Sequence, residues 1–228
     1  LVTLAALSIL TMVLPNHTTT APGAAYSASQ LAFVALVSLV LYGAFIFVQT
    51  VKHRDYFLDA THEQIVAATE QHAAVATRAS MPATLLALLV SLAAVVLLAK
   101  SLAPTLTAAL DAIGAPDAAT GVFIAAIVLL PESLAAYRAA TLNRLQTSLN
   151  LALGSALASI GLTIPVVAAL SLAMGWTLEL GLGSRETALL LLGLFVCSLS
   201  LAKGRTMVLH GVVHLVLFAV YLFTTIVP

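Results

Sequence analysis

The residue of this chain with the clearest capacity for chemistry is an acid inside an apolar run. Glu132 directly follows Pro131 in a hydrophobic stretch that begins at Gly121. A carboxylate in hydrocarbon costs about 3 kcal/mol on insertion scales, so acids in such places usually bind ions or move protons. Pro131 removes a backbone donor and frees a carbonyl, which predicts a kinked or broken helix beside the acid. Glu132 is therefore predicted to bind a metal cation and a proton in alternation.

A second group of candidate ligands lies on the next apolar segment. Small and hydroxyl residues recur there at helical spacing and share one face: Ala152, Ser155, Ala156, Ser159 and Thr163. Ser155 and Ser159 are predicted to bind the cation together with Glu132, because hydroxyl, carbonyl and carboxylate oxygens suit hard cations such as Ca²⁺ or Na⁺. Secondary candidates for the same site are Ser133, Asn150 and Thr163.

Two histidines complete the set of secondary candidates. His210 and His214 are four residues apart and share one face of the last apolar segment. Such a pair could relay protons or hold a metal. Neutral histidines that are packed or interfacial are the simpler interpretation.

The other candidates also have structural explanations. Glu132 could reach Arg138, or accept from backbone N–H groups near the proline. The small-residue face could serve close packing between helices. Cys197 is the only cysteine, so it cannot form an internal disulfide, and it is expected to be a packing residue.

Composition identifies an integral membrane protein. The 228 residues are 61% hydrophobic and 8% charged, with a mean hydropathy of +1.11, whereas soluble domains are about one quarter charged. The apolar runs are long and continuous, which predicts helices rather than barrel strands. A formal net charge of +0 gives no indication of a nucleic-acid partner.

The apolar runs predict an all-α, polytopic transmembrane helix bundle. Residues 1–50 are expected to hold the end of a truncated helix and one full span, 51–80 a cytoplasmic polar loop, and 81–228 a C-terminal transmembrane bundle. Full spans are predicted at 28–50, 81–99, 121–137, 148–174, 187–202 and 206–227, with a loop or short surface helix at 104–117. Residue 1 is Leu within an apolar run, so we expect a fragment whose N-terminal part is missing.

Lysine and arginine positions predict the orientation. If the 51–80 loop is cytoplasmic, strict alternation places seven of the nine Lys and Arg residues inside, and only Lys100 and Arg185 outside. The C-terminus would then face outside. Glu132 would lie on the cytoplasmic side of the middle of the membrane.

Several motifs resemble one transporter family. Pro131-Glu132-Ser133 and residues 139–146, 150–155 and 161–165 resemble the second signature repeat of the calcium/proton exchangers, in the cation/calcium exchanger superfamily. The bacterial sodium- and calcium-proton antiporters are the most similar branch. Further similar stretches are residues 14–19, 47–55, 204–206 and 213–215, so the resemblance covers nearly the whole chain.

The resemblance implies a fold of two inverted repeats, each donating a broken helix with an acid to a central site. Glu132 is then the acid of the second repeat, at about residues 119–174, and the helix with Ser155 and Ser159 faces it. The first repeat is implied to be absent from this chain. Leu-Leu-Pro-Glu-Ser replaces the broader pattern Gly-Asn-Ala-Ala-Glu-His, and Ala158 stands where many relatives carry Gln. His210 falls where plant-type relatives often have Glu.

The expected function is proton-coupled cation antiport in the bacterial cytoplasmic membrane, with Ca²⁺, Na⁺ or K⁺ exchanged for H⁺ and no bound cofactor. The expected partners are membrane lipid, the transported ions and the missing N-terminal repeat. The alternative is a non-transporting scaffold, or a pH or cation sensor that acts through the 51–80 loop. An intramembrane enzyme ranks third, because the spans contain no His-Glu-x-x-His, serine elbow or aspartate pair. We also expect an open cavity beside Glu132, because half of a two-repeat site has no closed pathway.

Overall fold

The computed structural model describes residues 1–52, 81–112, 114, 116–202 and 207–227. These ranges are almost entirely helical. The helices are α1 Val2–Ser8, α2 Ala28–Phe47, α3 Met81–Asp111, α4 Asp117–Thr141, α5 Leu145–Met174, α6 Ser184–Ala202 and α7 Val208–Ile226. α1 is followed directly by a π-helix at Ile9–Val13 and a 3-10 helix at Leu14–His17. α2 is followed directly by a π-helix at Val48–Lys52.

Six helices in the described ranges are long and apolar enough to cross a membrane. They are α2 to α7, and each coincides with one of the spans predicted from hydropathy. A spanning helix needs about 20 apolar residues because its backbone groups must be bonded internally in hydrocarbon. The prediction of an all-α transmembrane bundle is confirmed, and the protein is multi-pass.

Two expectations about prolines are wrong. The sequence predicts a loop or separate short helix from Pro104, but α3 continues through Pro104 to Asp111. It also predicts a kink or break at Pro131; the break is wrong, because α4 runs without interruption from Asp117 to Thr141, and the kink stays a prediction. The physical reason is that a proline forfeits one hydrogen bond, whereas a broken helix in hydrocarbon would expose several backbone groups.

The chain divides into two compact units. The first unit contains residues 1–57 and 135–223, and the second contains residues 58–134 and 224–228. Glu132 lies in the second unit. Ser155, Ser159 and both histidines of α7 lie in the first.

The core of the first unit is an antiparallel pair of helices, α2 and α5. Near one end Tyr26, Leu31 and Val34 form a buried cluster with Ala168. Further along α2, Tyr42 lies against Gly161. From the first contact to the second, residue numbers rise along α2 and fall along α5, so the two helices are antiparallel. The Lys52 end of α2 and the start of α5 therefore lie at the same end of this unit. Short α1 contacts both helices.

A network of hydrogen bonds to backbone carbonyls joins the segments at the other end of the first unit. Leu182 N–H donates to the Met12 carbonyl at 2.9 Å, and Gly181 N–H donates to the Ala24 carbonyl at 3.0 Å. The Asn16 amide donates to the Leu182 carbonyl. A Cβ on residue 181 would overlap the Asn16 side chain, which explains the glycine there.

A buried tyrosine lies beside this network. Tyr26 donates its hydroxyl to the Leu10 carbonyl. Burial raises the pKa of Tyr26 to about 12, because the phenolate would lose its hydration. The ring therefore stays neutral and keeps this bond over the whole physiological range of pH.

The tight approach of α2 and α5 at Gly161 gives a test of this core. A Cβ added at Gly161 would lie 2.8 Å from the Tyr42 Cβ, an atom fixed to the α2 backbone. Overpacking of this kind costs about 1–3 kcal/mol. We therefore expect Gly161→Ala to lower the thermal unfolding midpoint of the detergent-solubilised chain by about 2–10 °C.

Gly154→Ala is the matched control, because nothing lies within 4 Å of a Cβ added at Gly154 on the same helix. Its unfolding midpoint should not fall. Equal midpoints for the two variants would contradict the observed packing.

Candidate functional site

Glu132 lies deep within the span formed by α4. At a rise of 1.5 Å per residue, it is about 22 Å from Asp117 and about 14 Å from Thr141 along the helix axis. Its side chain is half-buried. Its Oε2 atom is fully buried and has no hydrogen-bond partner among the described residues. Since buried polar groups in native structures are nearly always paired, this oxygen requires a proton, an ion or water as its partner.

Pro131 affects one carbonyl on the same helix. Because Pro131 has no N–H, the Ile127 carbonyl lacks its usual helical donor four residues later. At 3.6 residues per turn, Ile127 lies about 140° around α4 from Glu132, so this carbonyl is not on the side of the helix that carries the acid. Ser133 is exposed, and its hydroxyl donates to the Leu129 carbonyl at 2.8 Å. The carboxylate of Glu132 is therefore the hard ligand that this turn of α4 offers.

An open groove of about 490 Å³ lies between α3 and α4 in the second unit. Its lining residues are Val95, Leu98, Ser101, Leu102, Thr105, Ile124, Ile127, Val128 and Pro131. The walls are mostly apolar, and the Ser101 hydroxyl donates to the Leu98 carbonyl of its own helix. The groove reaches Pro131, the neighbour of Glu132, but Glu132 is not part of its lining. An open cavity at the acid itself stays a prediction.

The serine-bearing helix α5 packs on α2 through a different face from the predicted ligand face. The buried positions of α5 are Leu157, Gly161, Ala168 and Ser171. At 3.6 residues per turn, this face is centred about 165° around the helix from the face of Ser155, Ser159 and Thr163. Ser155 is half-buried, and Ser159 and Thr163 are exposed. The predicted small-residue face is therefore not what packs against α2.

The grouping of the candidate ligands around one ion stays a prediction. Glu132 belongs to the second unit, whereas Ser155 and Ser159 belong to the first. Asn150 is half-buried in the second turn of α5. The 51–80 loop lies outside the described residues except for its first two positions.

The two histidines of α7 are both bonded to their own helix through Nδ1. Met207 N–H donates to His210 Nδ1 at 3.5 Å, and His214 Nδ1 bonds the His210 carbonyl at 2.7 Å. A carbonyl can only accept, so His214 carries its proton on Nδ1, whereas His210 must have Nδ1 free of a proton. His214 Nδ1 is therefore a donor and His210 Nδ1 an acceptor, a difference that sequence spacing cannot reveal.

A groove of about 540 Å³ between α5, α6 and α7 contains both histidines in its wall. Cys197 and Ser200 are the other polar side chains lining it, and the Ser200 hydroxyl donates to the Val196 carbonyl. Within the described ranges no group of three His, Cys, Asp or Glu side chains could hold a metal ion. Each ring has Nε2 left, the atom through which a histidine can bind either a proton or a metal, so the proton relay and the metal pair both stay predictions.

Comparison with known proteins identifies the family of this chain. Residues 83–227, more than half of the chain, match the family model described as "Sodium/calcium exchanger protein". The chain belongs to the sodium/calcium exchanger family. The matched residues begin in α3 and end after α7, so they include Glu132, α5 and both histidines.

Two relatives of this exchanger chain extend the comparison. It is 48% identical to the y4hA protein of Sinorhizobium fredii (strain NBRC 101917 / NGR234), described as a candidate ionic transporter, over 100% of this chain and 61% of the relative. It is 37% identical to the sodium-potassium/proton antiporter ChaA of Escherichia coli (strain K12), over 98% of this chain and 60% of the relative. The chain thus spans about three fifths of the length of these curated relatives. No solved structure shows significant similarity to it.

The bond between Met207 and His210 gives a test of the start of α7 in this exchanger-family chain. His210 Nδ1 accepts from Met207 N–H, and a hydrogen-bonded amide exchanges more slowly than a free one. We expect hydrogen exchange at the Met207 amide to be faster in His210→Phe than in the wild-type protein.

His214→Phe is the control, because His214 bonds a carbonyl and not the Met207 amide. The amide should keep its protection in that variant. Identical exchange in wild-type protein and His210→Phe would show that His210 does not cap α7.

Proposed function

We propose that the complete protein containing this chain is a proton-coupled cation antiporter, in which a cation and a proton compete for Glu132. The observation that carries this proposal is the buried Oε2 of Glu132, which has no partner among the described residues. The family assignment supports the general activity, and ChaA of Escherichia coli is itself named as a sodium-potassium/proton antiporter.

Competition for one carboxylate couples the two ion fluxes. A protonated carboxyl is neutral, and a carboxylate that holds a monovalent cation is neutral as a pair. An empty carboxylate keeps its charge, and a bare charge in hydrocarbon is costly. Glu132 can therefore change its access from one side of the membrane to the other when it is loaded with either ion, but not when it is empty. This difference makes each cation transported in one direction require protons in the other.

The ligands favour a cation of low charge unless another part of the protein contributes. The predicted ligands are one carboxylate, that of Glu132, and the hydroxyls of Ser155 and Ser159. Ca²⁺ usually takes six to eight oxygens, with several carboxylates among them. We propose Na⁺ or K⁺ as cations that this set can neutralise. Ca²⁺ would require a second acid from the additional length that the relatives possess.

The proposed location is the bacterial cytoplasmic membrane, with the 51–80 loop inside and the C-terminus outside. The charge distribution supports this orientation through the excess of Lys and Arg on one side. The antiparallel pairing of α2 and α5 is consistent with it, because Lys52 and Arg144 then lie at the same end of the first unit.

The central test is Glu132→Gln in the full-length protein. Gln keeps the shape and removes the charge that the cation neutralises, so pH-driven uptake into everted vesicles should fall to the level of vesicles without the transporter. The assay is run with Na⁺, K⁺ and Ca²⁺ in turn, at matched expression. The cation that gives wild-type uptake identifies the substrate.

Glu179→Gln is the matched control, because Glu179 is an exposed acid in the connection between α5 and α6. It should retain transport with every cation that the wild-type protein carries. Wild-type rates in Glu132→Gln would end the proposal.

A further inference from the structure

A tight turn with two arginines joins the spanning helices α4 and α5. α4 ends at Thr141 and α5 begins at Leu145, so only residues 142–144 separate them. Arg138 lies in the last turn of α4, and Arg144 directly precedes α5. Both helices are long and apolar enough to cross a membrane. A connection this short between two spans therefore lies at a membrane surface.

The backbone of this turn folds Arg144 back against the end of α4. Asn143 has a φ of 60°, a left-handed conformation that asparagine adopts more readily than most residues. Its N–H donates to the Ala140 carbonyl at 3.0 Å. Arg144 N–H donates to the Ala139 carbonyl at 2.8 Å. These two bonds form a Schellman motif and fix the backbone of Arg144 beside the turn that carries Arg138.

Neither arginine has an acidic partner among the residues that the structure describes. In those ranges an ion pair joins Arg185 and Glu186 at 3.2 Å, and none involves Arg138 or Arg144. Both side chains are exposed, and the first turn of α5 contains no acid. The sequence allows Glu132 to reach Arg138, but the structure shows no ion pair between them. Two cationic groups therefore lie on one short turn without a counter-charge from the described chain.

Helix stability explains only one of the two arginines. A cation in the last turn of a helix is favourable, which accounts for Arg138 at the end of α4. A cation at the start of a helix is unfavourable, so α5 gains nothing from Arg144. Two like charges on one turn also repel each other. An anion bound by both guanidinium groups would remove both costs.

We propose that Arg138 and Arg144 together bind the phosphate of an anionic phospholipid. The turn lies at the membrane surface, where lipid phosphates are the anions within reach. Guanidinium groups donate paired hydrogen bonds to phosphate oxygens, and basic groups between membrane helices bind anionic headgroups in this way. Tyr137 is 67% exposed beside Arg138, and tyrosines are enriched at the level of the headgroups.

This lipid site does not depend on the proposed function. Tyr137, Arg138 and Arg144 all belong to the first unit, whereas Glu132 belongs to the second. Lipid binding is measured without transport, so its failure is distinguishable from a failure of the antiporter proposal. The site also does not depend on which side of the membrane the turn faces.

The experiment measures the affinity of the purified full-length protein for phosphatidylglycerol in neutral detergent. The lipid is titrated, and the rise in the thermal unfolding midpoint gives an apparent Kd. A basic residue near an anionic surface contributes about a fivefold gain in affinity. Arg138→Gln and Arg144→Gln should therefore each raise the apparent Kd about fivefold, and the double variant should raise it by at least about tenfold. Their midpoints without lipid show that the variants fold.

Arg185→Gln is the matched control, because it removes the same charge from an exposed arginine that already pairs with Glu186. It should keep the wild-type Kd. Neutral phosphatidylcholine and inorganic phosphate, at equal concentrations, should not raise the wild-type midpoint.

Three results would overturn the lipid site. A wild-type Kd in the Arg138→Gln, Arg144→Gln double variant would mean that another part of the protein neutralises these arginines. An equal loss of affinity in Arg185→Gln and the double variant would mean that phosphatidylglycerol responds to total charge alone. Stabilisation by inorganic phosphate as strong as that by phosphatidylglycerol would mean that the turn takes a free anion rather than a lipid.

Discussion

The structure depends on one constraint, which is that a membrane interior supplies no partner for a polar group. The described spans meet it through helical backbone hydrogen bonds and through hydroxyls that bond their own helix, as at Ser133 and Ser200. Among the buried side-chain atoms of the described residues, Glu132 Oε2 and Ser38 Oγ have no hydrogen-bond partner. Of these two side chains, Glu132 is the ionisable one, so it is the one at which a cation or a proton can bind.

For Glu132 this constraint has a direct consequence for transport. A carboxylate at that depth is costly when bare and inexpensive when neutralised by a proton or a cation. An antiporter needs this difference in free energy between the empty and the ion-loaded carboxylate. It prevents the site from changing access across the membrane when no ion is bound. α4 runs through Pro131 without interruption, so this carboxylate lies on a continuous helix.

Much of the fold could be predicted from the sequence because hydropathy alone determines where a helix can span. The six spans and the depth of Glu132 follow from apolar run length. The helix breaks predicted at Pro104 and Pro131 were wrong. Local propensity favours a break at a proline, but a break within a membrane would leave several backbone groups without hydrogen bonds. The face of α5 that packs on α2 was not foreseen either. Small residues mark several faces of α5, and only the partner Tyr42 shows that Gly161 is the contact.

Other features of the candidate site depend on three-dimensional geometry, which the spacing of residues in the sequence does not determine. His210 and His214 are four apart in sequence, but the opposite hydrogen-bond roles of their Nδ1 atoms follow from one amide donor and one carbonyl acceptor. The assignment of Glu132 to a shared site with Ser155 and Ser159 rests on the ligand chemistry of their oxygens and on the family resemblance. That grouping requires the arrangement of the two units in the complete protein.

The most direct test of the central claim is proton release on cation binding. The purified full-length protein is held in weakly buffered detergent solution at each of a series of pH values, and Na⁺, K⁺ or Ca²⁺ is added in turn. The account predicts a saturable release of protons with the transported cation, and no saturable release from Glu132→Gln. Equal release from both proteins would contradict it, because the proton and the cation would then not share this carboxylate.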